Sequence, residues 1–255
     1  MQVFGFRLKL LAASLAIVAL SASGALADQV KVAVAANFTE AAKEIAVAFK
    51  ADTGHEAVLS FGSTGQLYTQ ITQGAPFEVF LAADTARPEK AVEEGFGVQG
   101  SVFDYAIGKI VLWSVNPDLV TGAETLQTAR FDKIAIANPG TAPYGTAAIQ
   151  AMSALNVYDS LQPKIVQGAN IAQAYQFVKT GNAELGFVSL SQIAANTEGS
   201  RWNVSDDLYD PIRQDAVLLK TGHDNPAAEA FLSFLKGAAA IALIEKYGYG
   251  VDKTE

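Results

Sequence analysis

Four short segments of the sequence carry small, hydroxyl-bearing or amide-bearing residues where a strand is predicted to end and a helix to begin. They are Ala36-Asn37-Phe38-Thr39, Gly62-Ser63-Thr64-Gly65, Ala142-Pro143-Tyr144-Gly145 and Gly168-Ala169-Asn170-Ile171. The start of a helix offers free backbone N–H groups and about half a positive charge, which together bind an anion without a cationic side chain. None of the four segments contains Lys, Arg, Asp or Glu, although 17% of the chain is charged. The pattern predicts an anion site built from neutral donors.

Helix capping is the alternative explanation for each turn taken alone, because Ser, Thr and Asn are favoured at N-caps in all helices. One turn departs from ordinary capping. Ser63 and Thr64 place two consecutive hydroxyls between glycines, which lets the backbone approach a ligand closely. Both interpretations stay open at the level of the sequence.

Catalytic chemistry lacks the residues that it needs. The only histidines in the sequence, His55 and His223, fall in predicted surface turns, and the chain has no cysteine. The sequence therefore lacks the histidine and cysteine residues from which a histidine-based triad or a zinc site would be built. Asp84 follows the third predicted strand and is interpreted as a turn cap, because no second carboxylate nearby pairs with it for acid–base chemistry. We predict that the protein is not an enzyme and has no catalytic residue and no cofactor.

Short apolar segments alternate with amphipathic ones, which is typical of α/β folds with mostly parallel sheets. The predicted strands are Val30–Ala35, Ala57–Phe61, Glu78–Ala82, Lys133–Ala137, Lys164–Val166 and Glu184–Leu190. Residues Ala42, Ile45 and Phe49 form the apolar face of a helix between the first two strands. Pro88 is predicted as the first residue of a helix, a position that proline favours.

Two longer stretches, Phe103–Ser114 and Ile212–Lys220, differ from these units because no glycine-rich turn leads from them into a helix. We interpret them as the places where the chain crosses between two similar lobes. The predicted lobes are residues 28–108 plus 214–255 and residues 109–213, each a mostly parallel sheet flanked by helices. Two crossings make a hinge, and such proteins bind ligands in the cleft between the lobes. A single doubly wound domain remains the alternative.

Residues 1–27 are predicted to be an export signal. A basic start at Arg7 and Lys9 precedes an apolar run, and Ala25-Leu26-Ala27 supplies small residues for cleavage. Removing the segment moves the net charge from −8 to −10, because it holds two of the 18 basic residues and none of the 26 acidic ones. So acidic a chain lacks the basic patch that nucleic acid or anionic lipid requires. We predict a periplasmic protein without a nucleic-acid partner.

The order and spacing of these segments resemble the molybdate-binding proteins of bacterial ABC transporters, which are two-lobed periplasmic binding proteins. The resemblance covers the whole chain after residue 27. It is carried by Val34-Ala35-Ala36-Asn37-Phe38, Phe61-Gly62-Ser63-Thr64-Gly65, Gly74-Ala75-Pro76-Phe77-Glu78-Val79-Phe80, Ala83-Asp84, Tyr105-Ala106-Ile107-Gly108-Lys109, Asn138-Pro139, Ala142-Pro143-Tyr144-Gly145, Gly186-Phe187-Val188, Lys236-Gly237 and Tyr247-Gly248-Tyr249.

The resemblance implies that a tetrahedral molybdate or tungstate ion is held in the cleft by neutral donors, with no direct metal ligand from the protein. By position, the implied binding residues are Ala36 and Asn37, Ser63 and Thr64, Tyr144, and the backbone N–H of Ile171. Ser189 stands where another branch of the family has a tyrosine, and Tyr144 is the expected substitute. The implied partner is the membrane permease of a molybdate ABC transporter, and we expect a monomer.

Sulfate or another small oxyanion is the nearest alternative ligand, since sulfate has the same shape and charge as molybdate but is smaller, and neutral donors can hold either ion. Phosphate keeps a proton near neutral pH and would need an acceptor such as Asp, which none of the turns carries. Ferric iron would need several Tyr, His or carboxylate ligands, and the turns offer only Tyr144. A catalytic α/β protein is the most distant alternative.

Overall fold

The computed structural model describes residues 28–128 and 130–252. The predicted export signal, residues 1–27, lies outside the described residues. Within the described part the chain forms two five-stranded sheets with helices packed on them. This arrangement confirms the predicted fold class, α/β with two mostly parallel sheets.

The first sheet contains strands from both ends of the described chain. Its elements are β1 (Gln29–Ala35), α1 (Thr39–Thr53), β2 (Glu56–Gly62), α2 (Thr64–Thr72), β3 (Val79–Leu81), α3 (Ala86–Glu93) and β4 (Phe103–Gly108). The strand order is β2-β1-β3-β10-β4, where β10 (Ile212–Leu218) runs antiparallel to both of its neighbours. We call this sheet and its helices the first lobe.

The second sheet is built from the middle of the chain and repeats this layout. Its elements are β5 (Ile110–Ser114), β6 (Ile134–Ala137), α4 (Pro143–Ala154), α5 (Tyr158–Leu161), β7 (Ile165–Gly168), α6 (Ile171–Lys179), β8 (Leu185–Ser189), α7 (Leu190–Ile193) and β9 (Ser200–Asn203). The strand order is β7-β6-β8-β5-β9, with β5 antiparallel to β8 and β9. We call this sheet and its helices the second lobe.

The chain passes between the sheets at two places. The stretch Phe103–Ser114, which the sequence suggested as one long segment, is two strands on different sheets separated by Lys109. The return connection runs from the end of β9 to Ile212, where β10 begins. The sequence did not predict β9, a short edge strand whose residues are mostly exposed and so lack the apolar pattern of a buried strand. Each antiparallel strand is the first strand that the chain forms after a crossing.

Apolar periodicity accounts for most of the helices. Helix α1 buries Ala42, Ile45 and Phe49, as the sequence predicted. The prediction that Pro88 begins a helix was wrong, because α3 begins two residues earlier, where the N–H of Arg87 finds an acceptor in the side chain of Asp84 at 3.0 Å.

The C-terminal region forms α8 (Pro226–Leu235) and α9 (Ala238–Lys246), interrupted at Gly237. Both pack on the first lobe, where Phe231, Leu235 and Ile244 join its core. Among the described residues no single helix has the length and apolar character of a membrane span, and α8 with α9 reaches them only as a pair bent by 59°.

Candidate functional site

The six residues predicted to bind an anion line one small cavity between the lobes. The lining consists of Ala35, Ala36, Asn37, Ser63, Thr64, Ala83, Ala142, Pro143, Tyr144, Asn170 and Ile171. The cavity lies where β1, β2, β6 and β7 end, so both lobes contribute two turns. Its volume of about 10 Å³ is close to the space that one water molecule requires, and no lining residue is charged. In this closed arrangement the cavity has no room for a sugar, a peptide or a nucleotide.

The first-lobe turn at Ser63 combines a helix cap with a second hydroxyl. Ser63 is the N-cap of α2, and its side chain forms a capping box with Gln66, with both contacts at 3.4 Å. Thr64 is the first helical residue, and its Oγ1 accepts the backbone N–H of Ala83 at 3.0 Å. Because the oxygens of both hydroxyls serve as acceptors, their protons remain to be donated into the cavity. Capping and anion binding are therefore compatible at this turn.

Asn37 lies in a 3-10 turn formed by residues 36–38, and its side-chain nitrogen faces other side chains. The nitrogen is 2.8 Å from Gln214 Oε1, 3.1 Å from Tyr249 Oη and 3.3 Å from Tyr144 Oη. An amide nitrogen carries two protons, so it serves two of these three oxygens at a time. The side chain of Asn37 thus takes part in a buried polar network, and its predicted contact with an anion stays a prediction.

The second-lobe turns begin two helices in different ways. Helix α4 starts at Pro143. The preceding Ala142 has only a methyl side chain, which cannot cap the helix, and Tyr144 is the second helical residue. Helix α6 starts at Ile171, and the Asn170 side chain accepts the N–H of Gln173 at 3.0 Å.

The first N–H groups of a helix have no intrahelical partner. Within residues 28–128 and 130–252, the backbone N–H groups of Thr64, Tyr144 and Ile171 donate to no protein acceptor. These three residues line the cavity from three different helices. Their N–H groups form the kind of concave donor set that binds anions.

Tyr144 reaches across the cleft from the second lobe. Its oxygen lies 3.3 Å from the side-chain nitrogens of both Asn37 and Gln214, which belong to the first lobe. Burial raises the pKa of the Tyr144 hydroxyl well above its usual value of 10.0. The hydroxyl therefore stays protonated at physiological pH and acts as a neutral donor.

Further contacts close the lobes around the cavity. The N–H of Gly65 donates to the carbonyl of Thr141 at 2.9 Å. Elsewhere between the lobes, Ser191 Oγ donates to the carbonyl of Asn37 at 2.8 Å and lies 3.0 Å from Tyr249 Oη. The structure is a closed arrangement in which side chains of both lobes meet.

The sequence did not identify Gln214, Ser191 and Tyr249 as part of this region. A signal for Gln214 existed, since a glutamine followed by an aspartate inside the apolar stretch Ile212–Leu218 is unusual in a buried strand. Ser191 left no such signal. Ser189, for which Tyr144 is the expected substitute, is fully buried and its hydroxyl contacts Ser191 at 2.9 Å.

The described part of the chain gives little support for a metal site, an acid–base residue at Asp84 or a dinucleotide-binding loop. No group of three or more His, Cys, Asp or Glu side chains there is arranged to hold a metal ion. Asp84 accepts the N–H of Arg87 at 3.0 Å and pairs with its guanidinium, which confirms its role as a turn cap. Gly95–Gly100 has the glycine spacing of a dinucleotide-binding loop, but it follows α3 and precedes β4, whereas that loop joins a strand to a helix.

The fold and the cavity define a two-lobed binding protein that encloses a small ligand between its lobes. The chain belongs to the family described as bacterial extracellular solute-binding proteins, which matches residues 30–250. It is 55% identical over 238 residues to the molybdate-binding protein ModA of Rhodobacter capsulatus, covering 93% of this chain and 94% of that one.

Two solved structures are similar to this fold. The periplasmic molybdate-binding protein of Azotobacter vinelandii superposes with a TM-score of 0.84 at 42% identity, covering 87% of this chain and 99% of that one. The sulfate-binding protein SubI of Mycobacterium tuberculosis superposes with a TM-score of 0.71 at 13% identity, covering 89% and 88%. The second likeness shows the fold alone, so the fold does not choose between oxyanions.

Proposed function

We propose that this protein captures molybdate or tungstate in the cavity between its lobes and delivers the ion to the membrane permease of an ABC importer. The observation that carries the proposal is the small cavity lined only by neutral groups, with helix starts from both lobes facing it. The 55% identity to a molybdate-binding protein supports the choice of ion.

Ala36, Asn37, Ser63, Thr64, Tyr144 and Ile171 are the proposed binding residues. Hydroxyl protons of Ser63, Thr64 and Tyr144 would meet the anion together with backbone N–H groups at the helix starts. Donors fixed by the fold replace the water around the ion without reorganising, which suits a doubly charged ion in a small cavity. We expect the lobes to close onto the ion from an open ligand-free state. A tetrahedral oxyanion is larger than one water molecule, so the lobes of the complex should stand slightly further apart than in this structure.

The lobes themselves are proposed as residues 28–108 plus 214–255 and residues 109–213, with the hinge at the two crossings. The protein is proposed to act as a monomer in the periplasm after loss of residues 1–27, and to bind its ligand without transforming it. Support comes from the family, whose members are extracellular solute-binding proteins, and from relatives named as binding proteins.

Melting temperatures with molybdate, tungstate, sulfate and phosphate in parallel test the proposal. A ligand at about 1,000 times its dissociation constant adds about 4 kcal/mol to the free energy of unfolding, which gives a clear shift. We expect that shift with micromolar molybdate and tungstate, and not with sulfate or phosphate. An equal response to sulfate at equal concentration would overturn the assignment of molybdate as the ligand.

A further inference from the structure

Gln214 is a fully buried polar side chain on β10 that contacts both lobes without lining the cavity. Its Oε1 accepts from the side chain of Asn37 at 2.8 Å and from the hydroxyl of Tyr105 at 3.2 Å. Its Nε2 donates to the hydroxyl oxygen of Tyr144 at 3.3 Å. All the polar atoms of this amide are therefore engaged by groups around the site.

The orientation of the amide follows from these neighbours. The reverse orientation would set the NH2 of Gln214 against the NH2 of Asn37, so two donors would face each other. With the Asn37 nitrogen facing Gln214, the oxygen of Gln214 faces Asn37 and Tyr105, and its nitrogen faces Tyr144.

The contact between Gln214 and Tyr144 limits the hydrogen bonds that the hydroxyl of Tyr144 can form. The N–H of Gln214, which does not line the cavity, donates to the hydroxyl oxygen. The Asn37 nitrogen is equally near this oxygen but has closer acceptors in Gln214 and Tyr249. The phenolic proton therefore points to neither amide nitrogen. Tyr144 lines the cavity, and the proton is directed there. Gly108 makes the contact possible, because a Cβ at that position would overlap the hydroxyl of Tyr144 and lie 2.7 Å from Gln214 Nε2.

We propose that Gln214 is a positioning residue that holds Tyr144 as a donor only, so that the site prefers fully deprotonated tetrahedral oxyanions to those that carry a proton. An oxyanion with a proton needs an acceptor, and a tyrosine free to rotate can offer its oxygen. Gln214 removes that option. The inference rests on the proposed function and adds a residue outside the cavity to it.

A double-mutant cycle between positions 214 and 144 tests the inference. Gln214→Met removes the amide donor at similar length, and Gln214→Glu keeps an acceptor for Asn37 and Tyr105 while replacing the donor by an oxygen. We expect Gln214→Met to weaken molybdate binding about three- to tenfold, and Gln214→Glu about ten- to a hundredfold because its charge also repels the anion. In the Y144F background the Gln214→Met loss should fall within about twofold, because the proton that Gln214 directs is absent.

Selectivity gives a readout that a merely structural role would leave unchanged. We expect the affinity ratio of molybdate to phosphate to fall at least about threefold in Gln214→Met and to stay constant in the Y144F background. Tyr105→Phe is the matched control, since it removes another hydroxyl from Gln214 without touching Tyr144, and it should change affinity by less than about twofold. Titration calorimetry supplies the constants, and melting of the ligand-free variants confirms that each is folded.

The outcomes separate this inference from the function on which it rests. Equal losses from Gln214→Met in both backgrounds, or an unchanged molybdate-to-phosphate ratio, would overturn the positioning role while molybdate binding stands. Normal affinity in Tyr144→Phe would also overturn the positioning role, because the hydroxyl that Gln214 positions would then not contribute to binding. A wild-type protein that binds none of the oxyanions would overturn the proposed function and this inference together. The predicted coupling in Gln214→Met alone suffices as support if Gln214→Glu does not fold.

Discussion

The two lobes share one topology but differ in the strand that carries the chain into each of them. In both sheets this strand is the fourth in order and the antiparallel one, β10 in the first lobe and β5 in the second. Strand β5 is buried and almost wholly apolar, from Ile110 to Trp113. Strand β10 buries Gln214 and Asp215 in the same place. The first lobe therefore buries an amide and a carboxyl group on this strand, whereas the buried polar side chains of the second lobe are hydroxyls, such as Ser114 at the end of β5.

The difference indicates that the two lobes contribute different polar groups to the region beside the cavity. Gln214 takes part in a hydrogen-bonded network with Asn37 and Tyr144 beside the cavity. Asp215 instead has an Oδ1 without a hydrogen-bond partner in the described structure, an arrangement that costs stability. The second lobe contributes the hydroxyl of Tyr144 to this network. One lobe supplies the polar frame, and the other supplies a hydroxyl that meets it on closure.

Removing one hydroxyl from each lobe tests this division most strongly. A hydrogen bond to a charged group contributes roughly 1.5–3 kcal/mol, so Thr64→Ala and Tyr144→Phe should each weaken molybdate binding about ten- to a hundredfold. Thr64→Ser keeps the hydroxyl and is the control for the first lobe. Titration calorimetry measures the affinities. Wild-type affinity in both deletions would remove the hydroxyls of Thr64 and Tyr144 from the proposed binding groups.

Asp215 should make the stability of the first lobe depend on pH. Burial, followed by the charge of Asp104, raises the pKa of Asp215 from 3.8 to about 6. The folded state therefore binds a proton more tightly than the unfolded state, and stability falls as pH rises from about 4 through about 6.

Replacing this carboxyl by the neutral Asp215→Asn should raise the free energy of unfolding at pH 7 by about 1–2 kcal/mol, after allowance for solvent screening. Near pH 4 the two proteins should unfold alike. Urea unfolding at both pH values checks the difference. A gain of the same size at both would mean that packing, and not ionisation, is responsible.

The sequence predicted the sheets, the turns and the six cavity residues, because these depend on local signals such as apolar runs and helix starts. It did not predict that Gln214 and Tyr249 meet Asn37, since these contacts join residues 177 and 212 positions apart. No local pattern encodes such a meeting. The helix start at Pro88 was misplaced because the acceptor for Arg87 is a side chain, Asp84, and side-chain geometry is not visible in periodicity.

Gly65, in the first turn of α2, contacts Thr141 of the second lobe, and a side chain there should obstruct closure. A Cβ at Gly65 would lie 3.1 Å from the Cα of Thr141. Gly65→Ala should weaken molybdate binding about threefold to tenfold, even though alanine raises the helix propensity of α2 by about 1 kcal/mol.

Stability and affinity should therefore change in opposite directions. Scattering should show a smaller decrease in radius of gyration on binding than in the wild type. Gln70→Ala, on the exposed face of the same helix, is the control and should bind normally. Full compaction with wild-type affinity in Gly65→Ala would show that the lobes have room to spare at this contact.

The smallest expected effect compares the two capped turns, one in each lobe. Ser63 and Asn170 each accept the backbone N–H of the third residue of their helix, at 3.4 and 3.0 Å. Replacing either by alanine should lower the free energy of unfolding by about 1 kcal/mol, the usual contribution of an N-cap. Only Ser63 is also a proposed donor to the anion, so Ser63→Ala should in addition weaken binding about threefold or more, whereas Asn170→Ala should leave affinity within about twofold.

Melting of the ligand-free proteins and calorimetry with molybdate separate the two quantities. Equal affinity losses would add Asn170 to the binding residues, and no loss in Ser63→Ala would leave Ser63 as a cap alone, with Thr64 as the hydroxyl donor of the first lobe.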